Sequence, residues 1–271
     1  MRMVMHENIE TERDGFVERA IVRHRGGTQV RDTDRVAEEV PVALVFNGIS
    51  HAVMMATPRD LEPFALGFAL TEGVVASRGD VFDIEVQLAQ AGAEVELTIA
   101  QPDFLRLKDK RRTLSGRSGC GVCGIESLEL LDLAPEQIQA PQLPPDLGAA
   151  IARAARELDQ HQVLMRQTGG VHAAAWCSFD GAVLAAFEDV GRHNALDKLI
   201  GHLALQGADM RLGFVFMSSR ASYELARKAA RMNIPLLATI SAPSSLAIAI
   251  AGQAGMKLVS FCRKDGYVEY T

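Results

Sequence analysis

Hydrophobic and polar positions change period along the chain. Residues 42–46 and 51–56 are short apolar runs on either side of Asn47-Gly48. Asn-Gly between two such runs predicts a tight hairpin, because both residues accept positive φ. After Asp60, a residue type that caps helices, the period lengthens. Leu61, Phe64, Phe68 and Val75 fall on one face and predict a helix over residues 63–75. Residues 81–88 and 94–100 form a second strand pair, turning at Ala91-Gly92. A small sheet packed by one helix accounts for this first third.

The pattern then lapses. Residues 106–124 carry Arg106, Lys108, Lys110, Arg111, Arg112 and Arg117 before running into Ser118-Gly-Cys-Gly-Val-Cys-Gly124. Their glycines and lack of apolar periodicity predict a flexible loop. Residues 134–145, rich in Pro and Gln, read as irregular, and 147–160 as helical. Strands at 171–178 and 182–188 then flank Phe179-Asp-Gly181, another hairpin signal. Leu196, Leu199, Ile200 and Leu203 make a helical stripe. A strand at 212–217, a helix at 221–232, a strand at 235–240, a helix at 244–254 and a strand at 257–262 complete the chain. A hairpin followed by βα units predicts a mixed sheet flanked by helices, an α/β domain within an α+β whole. The expected division is an N-terminal β-rich domain (residues 1–105 with 125–145), a basic Gly/Cys loop (106–124) and a C-terminal α/β domain (146–271).

Composition narrows the function classes. A chain of 271 residues, 48% hydrophobic and 23% charged, is long enough for a substantial core. Twenty-three Gly, 10 Pro and 4 Cys exclude collagen-like, disordered and disulfide-scaffold classes. A net charge of -6 gives no bulk positive field for duplex nucleic acid. The first forty residues mix charges without an apolar signal-peptide core. No stretch approaches the ~18 apolar residues of a membrane span; the longest, 236–251, is broken by Ser241, Pro243, Ser244 and Ser245. The expectation is a cytoplasmic protein with no nucleic-acid or membrane partner. Its cysteines would then be reduced thiols, metal ligands or catalytic groups.

Cys120-Gly-Val-Cys123 carries the strongest chemical signal. A zinc site needs three or four ligands; there is no second C-x-x-C, and Cys177, Cys262, His172 and His193 have no diagnostic spacing to the pair. No metal site is expected. A thioredoxin-like pair would open a helix after a strand, whereas this one follows a basic, glycine-rich stretch. A reactive thiol fits better, since Arg111, Arg112 and Arg117 favour the thiolate and Gly119 and Gly121 leave Cys120 accessible.

A second signal is the crowding of Glu188, Asp189, Arg192, His193 and Asn194 at a strand-to-helix junction. Ligands of α/β sheets bind at strand ends, where helix starts offer free N–H groups. A cap would need one such residue, so a functional site is favoured over a capped helix. Ser218-Ser-Arg220 and Ser241-Ala-Pro-Ser-Ser245 are polar junctions of the same kind, suited to phosphate or a purine edge. His172, alone at the start of an apolar strand, reads as structural. Zinc-deaminase chemistry lacks its general acid/base, because Ala174 stands where H-x-E requires a glutamate.

Together these stretches resemble the formate dehydrogenase accessory sulfurtransferase family (FdhD). The resemblance rests on Phe64-Ala-Leu-Gly-Phe-Ala-Leu-Thr-Glu-Gly73, Arg117-Ser-Gly-Cys-Gly-Val-Cys-Gly124, Thr168-Gly-Gly-Val-His172, residues 188–198, Ser218-Ser-Arg-Ala-Ser222 and Ser241-Ala-Pro-Ser-Ser-Leu246. Residues 1–40 and 137–160 carry no matching motif. The resemblance implies a cytidine-deaminase-like C-terminal domain and a homodimer. It also implies a persulfide carrier that accepts sulfur from a cysteine desulfurase. That sulfur would pass to the bis-molybdopterin guanine dinucleotide molybdenum cofactor, for which GDP or GMP could stand in, and activate formate dehydrogenase. Cys120 would be the carrier and Cys123 an assistant. The cofactor would meet Phe261, Cys262, Arg263, Lys264, Asp265 and Gly266, together with Arg192, His193, Asn194, Ser219, Arg220 and Ser241. The competing class is a molybdenum-cofactor or guanine-nucleotide chaperone that transfers no sulfur.

Overall fold

The structure, a computed structural model, describes residues 13–112, 135–139 and 143–271. Its first element is a two-stranded ribbon of β1 (Phe16–Arg25) and β2 (Thr28–Ala37), antiparallel from Phe16↔Ala37 to Arg25↔Thr28. Most of the ribbon is exposed, and charged residues occupy both faces, so it lacks the apolar alternation that marks a half-buried strand.

A four-stranded sheet follows, built from β3 (Val40–Phe46), β4 (Ile49–Ala56), β5 (Val81–Ala89) and β6 (Gly92–Ile99) in the order β4-β3-β6-β5. Asn47 and Gly48 make the β3–β4 turn with φ of 46° and 78°, as the dipeptide predicts. Val42, Leu44 and Phe46 of β3, with Val95 and Leu97 of β6, face the core. Helix α1 (Leu61–Thr71) covers this face. It ends four residues before the predicted boundary. Asp60 precedes it in a left-handed conformation, φ 54°, and its side chain makes no capping hydrogen bond. Almost every residue of α1 is buried, so its packing rather than a cap stabilises it.

Residues 106–112, expected as loop, belong to helix α2 (Gln101–Arg112). Phe104 and Leu107 pack inward, and Asp103 is paired with Arg106. Two apolar anchors three residues apart were enough; the basic run concealed them.

The second half contains α3 (Gly148–His161), α4 (Val163–Thr168), β7 (His172–Cys177), β8 (Val183–Asp189), α5 (Arg192–Leu205), β9 (Phe214–Met217), α6 (Tyr223–Arg231), β10 (Leu236–Thr239), α7 (Ser245–Ala254), β11 (Lys257–Arg263) and β12 (Gly266–Glu269). Helix α4 and strand β12 were not foreseen; both are short. The six strands form one mixed sheet, β12-β11-β10-β9-β7-β8. Phe214 and Phe216 point to one face, against Ile151, Ala154 and Leu158 of α3. Val215 and Met217 point to the other, where α5, α6 and α7 pack. Both faces are covered, which is why β9 and β10 read as continuous apolar runs.

The two sheets share a core through α1 and α5. These helices cross at Gly67 and Gly201. A Cβ on Gly67 would lie 1.8 Å from Asp197 O, and one on Gly201 would lie 1.8 Å from Pro63 O. Close backbone approach of this kind admits only glycine. Beside the crossing, Lys228 of α6 is buried and contacts Asp197 Oδ2 at 2.9 Å, Thr71 Oγ1 at 2.8 Å and Glu72 Oε1 at 2.8 Å.

Candidate functional site

Strand direction places the polar junctions together. β9, β10 and β11 are parallel, β7 is antiparallel to β9, and β8 is antiparallel to β7. The carboxyl ends of β8, β9, β10 and β11 therefore share one sheet edge, where β7 begins. The junctions at 188–194, 218–220 and 241–245 lie along it, as does the β11–β12 turn.

The structure separates this set into scaffold and open groups. Glu188 spends its carboxylate on the first turn of α4, accepting from Leu164 N at 2.7 Å and Met165 N at 2.8 Å. Asp189 is fully buried; it accepts from Thr57 N and Gly191 N and pairs with Lys198 Nζ at 2.7 Å. Asn194 is also buried and donates to Met55 O at 2.8 Å and to Asp189 Oδ1 at 2.9 Å. Three of the five crowded residues thus tie β8 and α5 to their neighbours. Asn194, expected at the cofactor, turns its amide inward instead.

Arg192 and His193, at the start of α5, remain at the opening. Arg192 Nε is buried and has no hydrogen-bond partner. His193 Nε2 lies 3.1 Å from Glu224 Oε2 and 3.3 Å from Ser222 Oγ. The bond from His193 holds the Glu224 carboxyl down to about 2, although burial acts in the opposite direction. Sequence reasoning passed over Glu224 and treated His172 as structural. His172 pairs across the hairpin with Asp189, is half-buried, and its imidazole has no side-chain hydrogen bond among the described residues. Counting back across the Phe179-Asp-Gly181 turn could have put it there.

The serine junctions also divide. Ser222 and Ser244 are the helix caps, accepting from Leu225 N and Ala247 N. Ser218 Oγ accepts from Ala173 N at 2.8 Å and joins β9 to β7. Ser219 is buried with its hydroxyl on Arg220 O, while Arg220 and Ser241 are exposed at the edge. Ser241 N donates to Ser219 O at 3.3 Å, so the two turns stack.

In the last segment Phe261 is 42% exposed and has a φ of 55°, at the irregularity where β11 pairs with β12. A bulky residue in this region is an outlier of the kind found at functional sites. Arg263, Lys264, Asp265 and Gly266 are exposed, and Arg263 donates to Ile240 O and Cys262 O. Cys262 instead points into the core beneath α3, where burial pushes its thiol up to about 12. Cys177 lies in the same core, its thiol raised further by burial and by Glu157. Cys120 and Cys123 lie outside the described residues.

The open groups of this edge are Arg192, Arg220, Arg263, Lys264 and two imidazoles beside exposed serine and backbone donors. An unpartnered buried guanidinium nitrogen within such a cationic set suits a phosphorylated ligand. Among the described residues no cluster of His, Cys, Asp and Glu could hold a metal ion, and no helix is long and apolar enough to cross a membrane.

The chain is 66% identical over 270 residues to the sulfur carrier protein FdhD of Chromobacterium violaceum, covering 99% of this chain and 100% of that protein. It is 63% identical over 276 residues to the protein of that name from Burkholderia mallei, with 99% of each covered. A crystal structure from Desulfotalea psychrophila, described as a formate dehydrogenase accessory protein, is similar with a TM-score of 0.72 at 25% identity, covering 94% of this chain and 96% of that one. The family model for FdhD/NarQ matches residues 37–271. With likeness of this extent, the chain belongs to the FdhD/NarQ family.

Proposed function

We propose that this protein is a cytoplasmic, homodimeric sulfurtransferase that carries sulfur to the molybdenum cofactor of formate dehydrogenase. Its relatives are named sulfur carrier proteins. The observation that carries the reading to particular residues is the fate of the other thiols. Cys177 and Cys262 are buried with raised pKa values, which leaves Cys120 and Cys123 for thiolate chemistry.

In the first step the Cys120 thiolate attacks the outer sulfur of a persulfide on a cysteine desulfurase. The S–S bond of the donor breaks, the donor cysteine leaves as thiolate, and Cys120 holds the sulfane atom. The substrate that receives it is the bis-molybdopterin guanine dinucleotide molybdenum cofactor. The Cys120 S–S bond would break as the sulfane atom passes to a reduced form of that substrate, whose metal would supply the electron pair of the new bond and be oxidised by two electrons, and Cys120 would leave as thiolate. Cys123 assists that exchange.

The sheet edge would hold the substrate's nucleotide ends. Arg192, His193, Arg220, Arg263 and Lys264 face its phosphates, and the stacked turns at Ser219 and Ser241 offer polar atoms to guanine. Phe261, Asp265 and Gly266 border the same opening.

Mass spectrometry after incubation with a desulfurase and cysteine tests this. The expected result is a gain of one sulfur atom located on Cys120 and absent from C120A. Intact GDP binding with no sulfur on any cysteine would instead make the protein a nucleotide-binding chaperone.

A further inference from the structure

Two nitrogen groups at the sheet edge, the Arg192 guanidinium and the His172 imidazole, lie close enough for the charge of one to act on the other. Arg192 Nε is buried without a partner. His172, opposite Asp189 in the β7–β8 ladder, is half-buried, and its imidazole has no side-chain hydrogen bond among the described residues. Asp189 is committed to Lys198 and Ser218 to Ala173 N, while His193 engages Glu224 and Ser222 through Nε2 alone. The charged and titratable groups bearing on His172 are Arg192 and His193 from α5 and Asp189 from β8.

We propose that His172 and Arg192 together grip one pyrophosphate diester group, and that His172 takes up a proton from solvent as that anion arrives. The inference rests on the dinucleotide reading of this edge and adds a residue and a proton to it. In the free protein burial disfavours the His172 imidazolium and the positive charge of Arg192 disfavours it further, while Asp189, already paired with Lys198, acts the other way. The charge of a bound pyrophosphate outweighs both effects. It supplies the missing counter-charge, satisfies Arg192 Nε, and turns an unfavourable cation into a charge-assisted donor. By linkage, an anion that raises the affinity of His172 for a proton must itself bind more tightly where that proton is present.

The sign follows directly. Above the bound-state pKa His172 is neutral with or without ligand, and affinity does not change with pH. Between the bound and free values, affinity rises as pH falls, by up to about tenfold for each pH unit. Below the free value it levels. The device would make the edge a tighter holder of nucleotide as pH falls, and release would return a proton to solvent.

The test uses the full-length protein and diguanosine diphosphate, a pyrophosphate diester with no group titrating between about pH 5 and 8, the range in which histidine changes charge. Calorimetry in buffers of different ionisation enthalpy counts protons taken up on binding. The imidazole resonances of His172 in the NMR spectrum report its titration with and without ligand. The expected outcome is proton uptake, an upward move of the His172 titration on saturation, and an affinity at about pH 5.5 roughly tenfold above that at pH 8. H172Q should lose the proton uptake and bind with an affinity that changes little between pH 8 and about pH 5.5. A flat profile, or one that survives in H172Q, overturns the proton-linked role while leaving the nucleotide site intact. No binding by the parent at either pH removes both readings.

Discussion

Asp189 and Lys198 form an ion pair at 2.7 Å with both side chains fully buried. Around it, Thr57 donates its backbone N–H to Asp189 and accepts from Lys198 Nζ at 3.0 Å through its carbonyl. Asn194 supplies a further donor to Asp189 and reaches Met55 O. One buried knot thus joins the end of β4, the end of β8 and the start of α5. It holds the junction from which Arg192 and His193 project.

A buried pair with its remaining lone pairs satisfied is tolerable; half of one is not. Lys198→Met leaves the Asp189 carboxylate without its counter-ion, and Asp189→Leu strands the ammonium. Each change should cost about 3–5 kcal/mol, measured by urea denaturation. The double substitution should cost less than the sum of the two, because it removes both charges together. Additive losses would show that the two side chains do not act as a pair.

The same knot shows where the sequence was readable. Asn47-Gly48 and Phe179-Asp-Gly181 announced their hairpins because local φ preferences decide such turns. The alternation from β9 to β11 was visible because both faces of that sheet are buried. At residues 188–194 local crowding looked like a site, yet Glu188, Asp189 and Asn194 are satisfied by Leu164, Lys198 and Met55. Two of those partners lie on other elements, beyond the reach of local reading. Lys198 was the available signal, a charged residue four positions after Asn194 on a largely buried helix. The ribbon was unreadable for the opposite reason. Its strands alternate charge against charge, as in the exposed Glu18–Arg35 pair, and bury little.

The crossing of α1 and α5 leads to a second expectation. The atoms that a Cβ on Gly67 or Gly201 would strike are main-chain carbonyls, which cannot rotate aside as a side chain would. Gly67→Ala and Gly201→Ala should each force the helices apart and cost about 3 kcal/mol or more. Gly252 on α7 is the control, since the nearest atom to its Cβ is Thr271 Cγ2 at 3.7 Å. Gly252→Ala should be neutral or stabilise by about 0.5–1 kcal/mol through helix propensity. Urea midpoints separate the cases. Equal effects at all three positions would remove the close crossing as the cause.

Acid should weaken the cluster on the far side of that crossing. Burial alone would raise the Glu72 carboxyl, but the charges of Lys228 and Arg227 overcome it and hold the group at about 2, below its ordinary 4.5. Glu72 contacts Lys228 at 2.8 Å and Arg227 at 3.0 Å, joining the end of α1 to α6. A carboxylate depressed in the folded state contributes stability that is complete above its unfolded pKa. That contribution is lost as pH falls through the folded value, here between about 4.5 and about 2. At about 1.4 kcal/mol for each pH unit the contribution has a ceiling of about 3.5 kcal/mol, and solvent reaching the partly exposed carboxylate reduces it. Glu72→Gln should therefore lower stability at neutral pH by about 1–3 kcal/mol and flatten its decline in that acid window. The measurement is denaturant stability of both proteins from neutral pH down to about pH 2.5. Glu224 is also held at about 2 and is present in both proteins, so its share cancels in the difference, which reports Glu72 together with its effect on Asp197 and Lys228. Convergence of the two curves at low pH is expected; parallel curves would mean that Glu72 keeps an ordinary pKa in the folded chain.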